Sequence, residues 1–268
     1  MNHTFGFIGT GNMGGALARA AAKALDKESI LLSDGYAPVA EKLAQELGCK
    51  AVSVDTVAAN ADFVWLGVKP QVIGSVLEGI APTLAERTDN FVLVSMAAGV
   101  AIADIRRMAG GDYPVIRIMP NMPVSVGGGV ILYDATENVP QEAIEFFREN
   151  MRYAGLLDRL PEKLIDAGSA LSGCGPAFAS LFVEALADGA VACGLPRSQA
   201  IAYAAQTLAG TAKMILEKDI HPGALKDAVC SPGGSTIAGV NALEQGAFRA
   251  SCMEAVLSAY QRTLELGK

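Results

Sequence analysis

The feature that most constrains this chain is the run Gly9-Thr10-Gly11-Asn12-Met13-Gly14, which follows the apolar segment Phe5-Gly6-Phe7-Ile8 and opens a helical pattern. A glycine turn in that setting joins a buried strand to a helix in a doubly wound α/β sheet. Each glycine has its own reason. Gly9 permits a tight turn, Gly11 lets the backbone approach a pyrophosphate, and Gly14 lets the helix lie close to the sheet. Beyond the turn, the helix opening at Asn12 and Met13 offers unpaired N–H groups and a partial positive charge to phosphates. A glycine turn with no ligand is the plainer alternative; the strand-turn-helix context favours a bound dinucleotide.

The residues that follow alternate in the way such a sheet requires. Candidate strands are Phe5–Ile8, Ile30–Ser33, Asp62–Val68, Phe91–Ser95, Val115–Met119 and Val130–Tyr133. Between them, Met13–Leu25, Val39–Leu47, Gln71–Ala85 and Gln141–Asn150 carry apolar residues at helical spacing. Phe63-Val64-Trp65-Leu66 is apolar on both faces, as a central parallel strand covered by helices must be. After about residue 160 the strand signals stop. Helical stretches then run over Lys163–Cys193, Arg197–Lys218, Pro222–Val229 and Thr236–Leu266. The expectation is an α/β chain with an N-terminal Rossmann-type doubly wound parallel sheet (residues 1–160) and a C-terminal all-helical domain (residues 161–268). The second domain has more apolar helix surface than a lone bundle can bury, so association through these helices is expected.

Composition narrows the function. Hydrophobic residues make up 51% and charged residues 18% of 268 positions, which excludes extended disorder. A net charge of -7 gives no basic surface for nucleic acid. The five cysteines are scattered without a Cys-x-x-Cys pair, as expected of reduced thiols in a cytoplasmic protein. No basic stretch leads into a long apolar run, and no segment approaches ~20 continuous apolar residues, so neither a secretory signal nor a membrane span is expected. With only His3 and His221, neither a metal site nor a Ser-His-Asp triad is expected.

The end of the second strand bears on the dinucleotide. Asp34 has the spacing from the glycine turn at which an acid grips the ribose hydroxyls of NAD, and an acid there repels the extra phosphate of NADP. If Ser33 faces the ribose instead, that objection weakens. Both residues are candidates, and the cofactor stays open between NADPH and NADH.

Further segments point to one family. They are Phe7-Ile8-Gly9-Thr10-Gly11-Asn12-Met13-Gly14, Val68-Lys69-Pro70, Met119-Pro120-Asn121-Met122-Pro123 and Leu171-Ser172-Gly173-Cys174-Gly175-Pro176-Ala177-Phe178. A fifth stretch runs from His221-Pro222-Gly223 through Leu225-Lys226-Asp227 to Ser231-Pro232-Gly233-Gly234-Ser235-Thr236-Ile237. In this order, and along nearly its whole length, the chain resembles the pyrroline-5-carboxylate reductases. The resemblance implies reduction of a cyclic imine, 1-pyrroline-5-carboxylate, to L-proline with NADPH or NADH. It also implies a homodimer through the C-terminal helices, often built into larger rings. The sequence departs from the family at Cys174 and Phe178, where many relatives have serine and tyrosine, and at Ser235. Asp55-Thr56 stands where relatives often show an asparagine near the adenosine ribose.

The chemistry of a small imino acid suggests roles. A carboxylate is best held by backbone N–H groups at a helix opening. Ser231, Gly233, Gly234 and Ser235 form such an opening, with Gly233 and Gly234 as amide donors. The Thr236 hydroxyl is then placed to hydrogen-bond the imine nitrogen, as the resemblance also suggests; a helix cap worth about 1 kcal/mol is the alternative. Val68, Lys69 and Pro70 end a buried strand at the edge where dinucleotides lie, and Ala97 and Asn121 follow the next two strands towards the nicotinamide. Two rivals are weighed. A β-hydroxyacid dehydrogenase needs a lysine with asparagine four residues on, but Lys163 is followed by Ala167. A non-catalytic dinucleotide sensor needs only the first glycine loop, and this chain has both.

Overall fold

The structure is a computed structural model in which residues 3–266 are described. The chain divides into two compact units. One comprises the residues up to Gly173 with the chain from Tyr260 onward, and the other is Cys174–Ala259.

The first unit is built on one eight-stranded sheet of order β3-β2-β1-β4-β5-β6-β7-β8. Its strands are β1 (Phe5–Ile8), β2 (Ile30–Ser33), β3 (Lys50–Ala51), β4 (Phe63–Leu66), β5 (Val92–Ser95), β6 (Val115–Pro120), β7 (Gly129–Ala135) and β8 (Gly155–Arg159). Register places Ile8 beside both Ser33 and Leu66, and Leu66 beside Ser95, so the carboxyl ends of four strands form one edge. The helices α1 (Asn12–Ala21), α2 (Ala37–Leu47), α3 (Val54–Asn60), α4 (Pro70–Glu86), α5 (Ile102–Ala109), α6 (Gln141–Met151) and α7 (Glu162–Ser172) complete the unit.

Alternation along each strand sends side chains to opposite faces. Phe5, Phe7, Phe63 and Trp65 join the layer formed with α1, α2 and α6, while Ile8, Val64 and Leu66 join the layer formed with α3, α4 and α5. Trp65 is fully buried and stacks on Phe7 with ring centroids 5.0 Å apart. Each such burial contributes roughly 1.5–3 kcal/mol, so a strand apolar on both faces is a strong address for the middle of the sheet.

Two expectations need correcting. The sheet is not wholly parallel, because β6 and β7 pair antiparallel. The eight residues 121–128 between them hold only a short 3-10 turn, and a parallel return needs a crossover of a dozen residues or more. The stretch 236–266 is not one helix but α11 (Ser235–Gln245) and α12 (Phe248–Leu266), parted where Ala247 takes φ 55°.

The second unit contains α8 (Gly175–Ala192), α9 (Arg197–Lys218), α10 (Pro222–Ala228), α11 and most of α12. Its hydrophobic burial is slight: Ala187, Ala200 and Ala204 are buried, whereas Leu181, Ile201, Tyr203, Leu216, Met253 and Leu257 are exposed. The helical stretch Glu162–Ala192 is also long and apolar enough to cross a membrane by length and composition. Counting uninterrupted apolar residues passed over it, because Ser169, Ser172, Pro176 and Ser180 break the run even where no charge does.

Candidate active site

At the carboxyl edge of the sheet, the glycine turn is locked between two neighbours. Gly9 has φ 95°, and its amide donates to the Ser33 carbonyl at 2.8 Å. On the other side the Gly67 amide donates to the Ile8 carbonyl at 2.7 Å, and a Cβ on Gly67 would stand 2.4 Å from the Gly9 oxygen. A Cβ on Gly14 would meet the same oxygen at 2.1 Å, so the first turn of α1 lies directly on the loop. Gly11 differs: a Cβ there would meet nothing within 4 Å. Its backbone therefore borders open space at the mouth of α1, where the amides of the first turn have no acceptor in their own helix. That space, lined by backbone and faced by a helix opening, fits a dinucleotide pyrophosphate.

Of the two β2 candidates, Ser33 is buried and Asp34 half-buried. Asp34 Oδ2 accepts from the Thr10 amide at 2.7 Å and from the Thr10 hydroxyl at 3.2 Å, and Oδ1 accepts from the Tyr36 amide at 3.0 Å. Farther along the edge, Val68 is half-buried, while Lys69 is the exposed N-cap residue of α4, with Pro70 in its first turn. Ala97 is buried after β5. Asn121 is buried after β6, and both ends of its side chain are engaged: Nδ2 donates to the Ser172 carbonyl and Oδ1 accepts from the Val130 amide, each at 2.8 Å.

The second glycine opening belongs to the helical unit. Gly233 takes φ 67°, and the Gly234 amide donates to the Ser231 carbonyl at 3.0 Å, closing a turn ahead of α11. That bond occupies one of the two amides assigned to a carboxylate from sequence. Gly234 is the N-cap residue of α11, and no side chain caps this helix. Thr236 lies in the first turn and is exposed, so its hydroxyl is not doing a cap's work. His221 is a cap: its Nδ1 accepts from the Gly223 amide at 3.1 Å. Among the described residues no cluster of histidine, cysteine and acidic side chains has the form of a metal site.

Two site features escaped the sequence reading. Gly67 passed as an ordinary strand residue, although a glycine ending an apolar strand signals a close backbone approach. The tie between Asp34 and Thr10 has no local signal, because the two are 24 residues apart.

Fold and loop together define a dinucleotide-binding α/β protein. Residues 4–99 match the family described as NADP oxidoreductase coenzyme F420-dependent, and residues 162–266 match that described as pyrroline-5-carboxylate reductase dimerisation. The chain is 40% identical over 271 residues to the pyrroline-5-carboxylate reductase of Methanosarcina acetivorans, covering 100% of this chain and 99% of that protein. Its backbone superposes with a TM-score of 0.93 on a pyrroline-5-carboxylate reductase from Coxiella burnetii, at 32% identity and with 100% of both chains covered. The Plasmodium falciparum pyrroline carboxylate reductase, solved with NADP bound, gives a TM-score of 0.86 at 31% identity, covering 100% of this chain and 99% of that one. The chain belongs to the pyrroline-5-carboxylate reductase family.

Proposed function

We propose that this chain is a pyrroline-5-carboxylate reductase, reducing the cyclic imine 1-pyrroline-5-carboxylate to L-proline with NAD(P)H in the last step of proline biosynthesis. The observation that carries this reading is the presence of two glycine-bearing helix openings in one family-matched chain: one shaped for a diphosphate at Gly11, the other for a small acid at Gly233. The dinucleotide supplies a hydride to the imine carbon, and the ring nitrogen ends as the amine of proline.

The protein's own contribution is placement. Gly9, Gly11 and Gly14, with the amides at Asn12 and Met13, hold the pyrophosphate; Ser33 and Asp34 border the adenosine ribose; Val68, Lys69, Pro70, Ala97 and Asn121 border the remainder. Gly233, with the amides of Ser235 and Thr236 that open α11, holds the substrate carboxylate. Ser231 and Gly234 shape that turn. The Thr236 hydroxyl hydrogen-bonds the imine nitrogen, its oxygen accepting from the N–H of the protonated imine, and so orients the ring. A protonated imine needs no strong acid from the protein, so orientation and carboxylate binding carry the rate.

We assign dinucleotide binding to residues 1–160 and substrate binding with self-association to residues 161–268; the second assignment is supported by the dimerisation match at 162–266. The protein is a homo-oligomer in this reading, with the exposed apolar side chains of α8, α9 and α12 buried between copies and a ring of dimers as the larger assembly. The unpaired cysteines suit the reducing cytoplasm. Mixing the purified protein with the imine and NADPH or NADH tests the function by loss of reduced-cofactor absorbance with proline formed in equal amount. Tight cofactor binding without turnover would point to the sensor instead.

A further inference from the structure

We propose that Asp34 is the residue that sets cofactor choice and that it makes this reductase prefer NADH over NADPH. The proposal rests on the reading of the first unit as a dinucleotide site. The residue closing β2 is the one that meets the adenosine ribose in such a sheet, and the structure decides between the two candidates. Ser33 is buried against Gly9, whereas the Asp34 carboxylate stands at the loop.

Asp34 cannot swing aside to admit a phosphate. Its Oδ2 takes both the amide and the hydroxyl of Thr10, at 2.7 and 3.2 Å, and Thr10 is itself only 4% exposed. Oδ1 takes the Tyr36 amide at 3.0 Å. A carboxylate has about four acceptor positions, and three are filled. The remaining one, on Oδ1, suits a ribose hydroxyl, which can donate. The 2′-phosphate of NADP has no proton to offer at neutral pH and brings like charge to the same place.

Nor do the nearby cations offset that charge. Arg19 is held by Glu46 through two bonds of 2.7 Å. Glu46 in turn has its carboxyl held below the usual range chiefly by the bond to Arg19, with Lys42 adding to the effect. A further acid, Asp55, lies in the first turn of α3. The chain leading there is tied to β2, because the Val52 amide donates to the Leu32 carbonyl at 2.8 Å. With Arg19 paired to Glu46 and the Asp34 carboxylate at the ribose position, this end of the edge favours a hydroxyl over a phosphate.

The test uses the full-length protein and two independent readouts: dissociation constants for NAD+ and NADP+ by titration calorimetry, and kcat/KM for NADH and NADPH with the imine. The expected result is binding of NAD+ about ten-fold tighter or more, with kcat/KM favouring NADH in the same direction. D34N keeps an acceptor for the Thr10 amide while removing the charge, and its NAD+/NADP+ ratio should move towards NADP+ by about ten-fold. Equal or tighter binding of NADP+ by the unaltered protein overturns the proposal whatever the variant does, as does a D34N ratio that fails to move. A clear NAD+ preference without imine reduction would sustain this proposal and sink the assigned reaction.

Discussion

The side-chain amide of Asn121 joins β6 to the end of α7: its Nδ2 donates to the Ser172 carbonyl at 2.8 Å while its Oδ1 accepts from the Val130 amide on β7 at 2.8 Å. Both partners are backbone groups in a part-buried setting, and truncation leaves them without these bonds. Asn121→Ala should therefore destabilise the protein by about 2–4 kcal/mol, since an orphaned buried polar group costs about 1–3 kcal/mol. Urea unfolding at fixed protein concentration measures this. An unchanged midpoint with weakened cofactor binding would mean that Asn121 serves the ligand rather than the fold.

The glycine loop makes a paired prediction, because two of its glycines are small for different reasons. At Gly14 an added Cβ would meet the Gly9 oxygen at 2.1 Å, whereas at Gly11 it would meet nothing within 4 Å. Gly14→Ala should lower both the melting temperature and dinucleotide affinity. Gly11→Ala should stay within about 0.5 kcal/mol of the parent in stability, as an open surface position does, yet lose dinucleotide affinity by about ten-fold or more. Melting curves with and without cofactor separate the two. Parent-like affinity in Gly11→Ala would show that the pyrophosphate does not approach there.

For Thr236 the capping alternative is disfavoured, since Gly234 is the cap residue of α11 and among the described residues no side-chain cap bond is made at that opening. Thr236→Ala should then leave stability unchanged and reduce kcat/KM by the worth of one hydrogen bond to the substrate, roughly 1–3 kcal/mol. Thr236→Ser, which keeps the hydroxyl, should recover most of it. Parent-like turnover and KM in the alanine variant would take Thr236 out of the reaction.

These sites differ in how plainly the sequence displays them. The doubly apolar β1, β4 and β5 and the glycine turn were legible because burial on both faces and a ligand-approaching backbone each demand particular residue types locally. Lys50–Ala51 was not, being two exposed residues that pair only because β2 is beside them. The short helix α5 was missed for a related reason. Its opening is satisfied by Glu162, whose Oε1 accepts from the Ile102 amide at 2.8 Å across 60 residues, and no window around residue 102 contains that partner. Asp34 and Ser33 were both visible as candidates, but which of them is buried and which reaches Thr10 turns on a one-residue register that no local pattern sets. Gly234 shows the converse. The residue type fitted an anion-binding opening, while the turn geometry assigned its amide to Ser231.

The last prediction concerns acid stability and the pair Arg87–Asp89, at the opposite edge of the sheet from the glycine loop. The buried Arg87 guanidinium donates to the Ala58 and Ala61 carbonyls at 2.8 and 2.7 Å, lies 4.3 Å over the Phe91 ring, and reaches Asp89 through bonds of 2.9 and 2.6 Å. Those bonds hold the Asp89 carboxyl below its ordinary range, against a smaller opposing effect of burial. A carboxyl lowered on folding contributes stability above its unfolded value of ~3.9 and loses it as pH falls through the folded value. Asp89 is 57% exposed, so the contribution is below about 1 kcal/mol. The melting temperature of the parent should exceed that of Asp89→Asn by a small, constant margin from neutral pH down to about pH 5, and the margin should close below about pH 4. A margin that instead widened on acidification would reverse the sign of the linkage and show that Asp89 is not the group stabilised by Arg87.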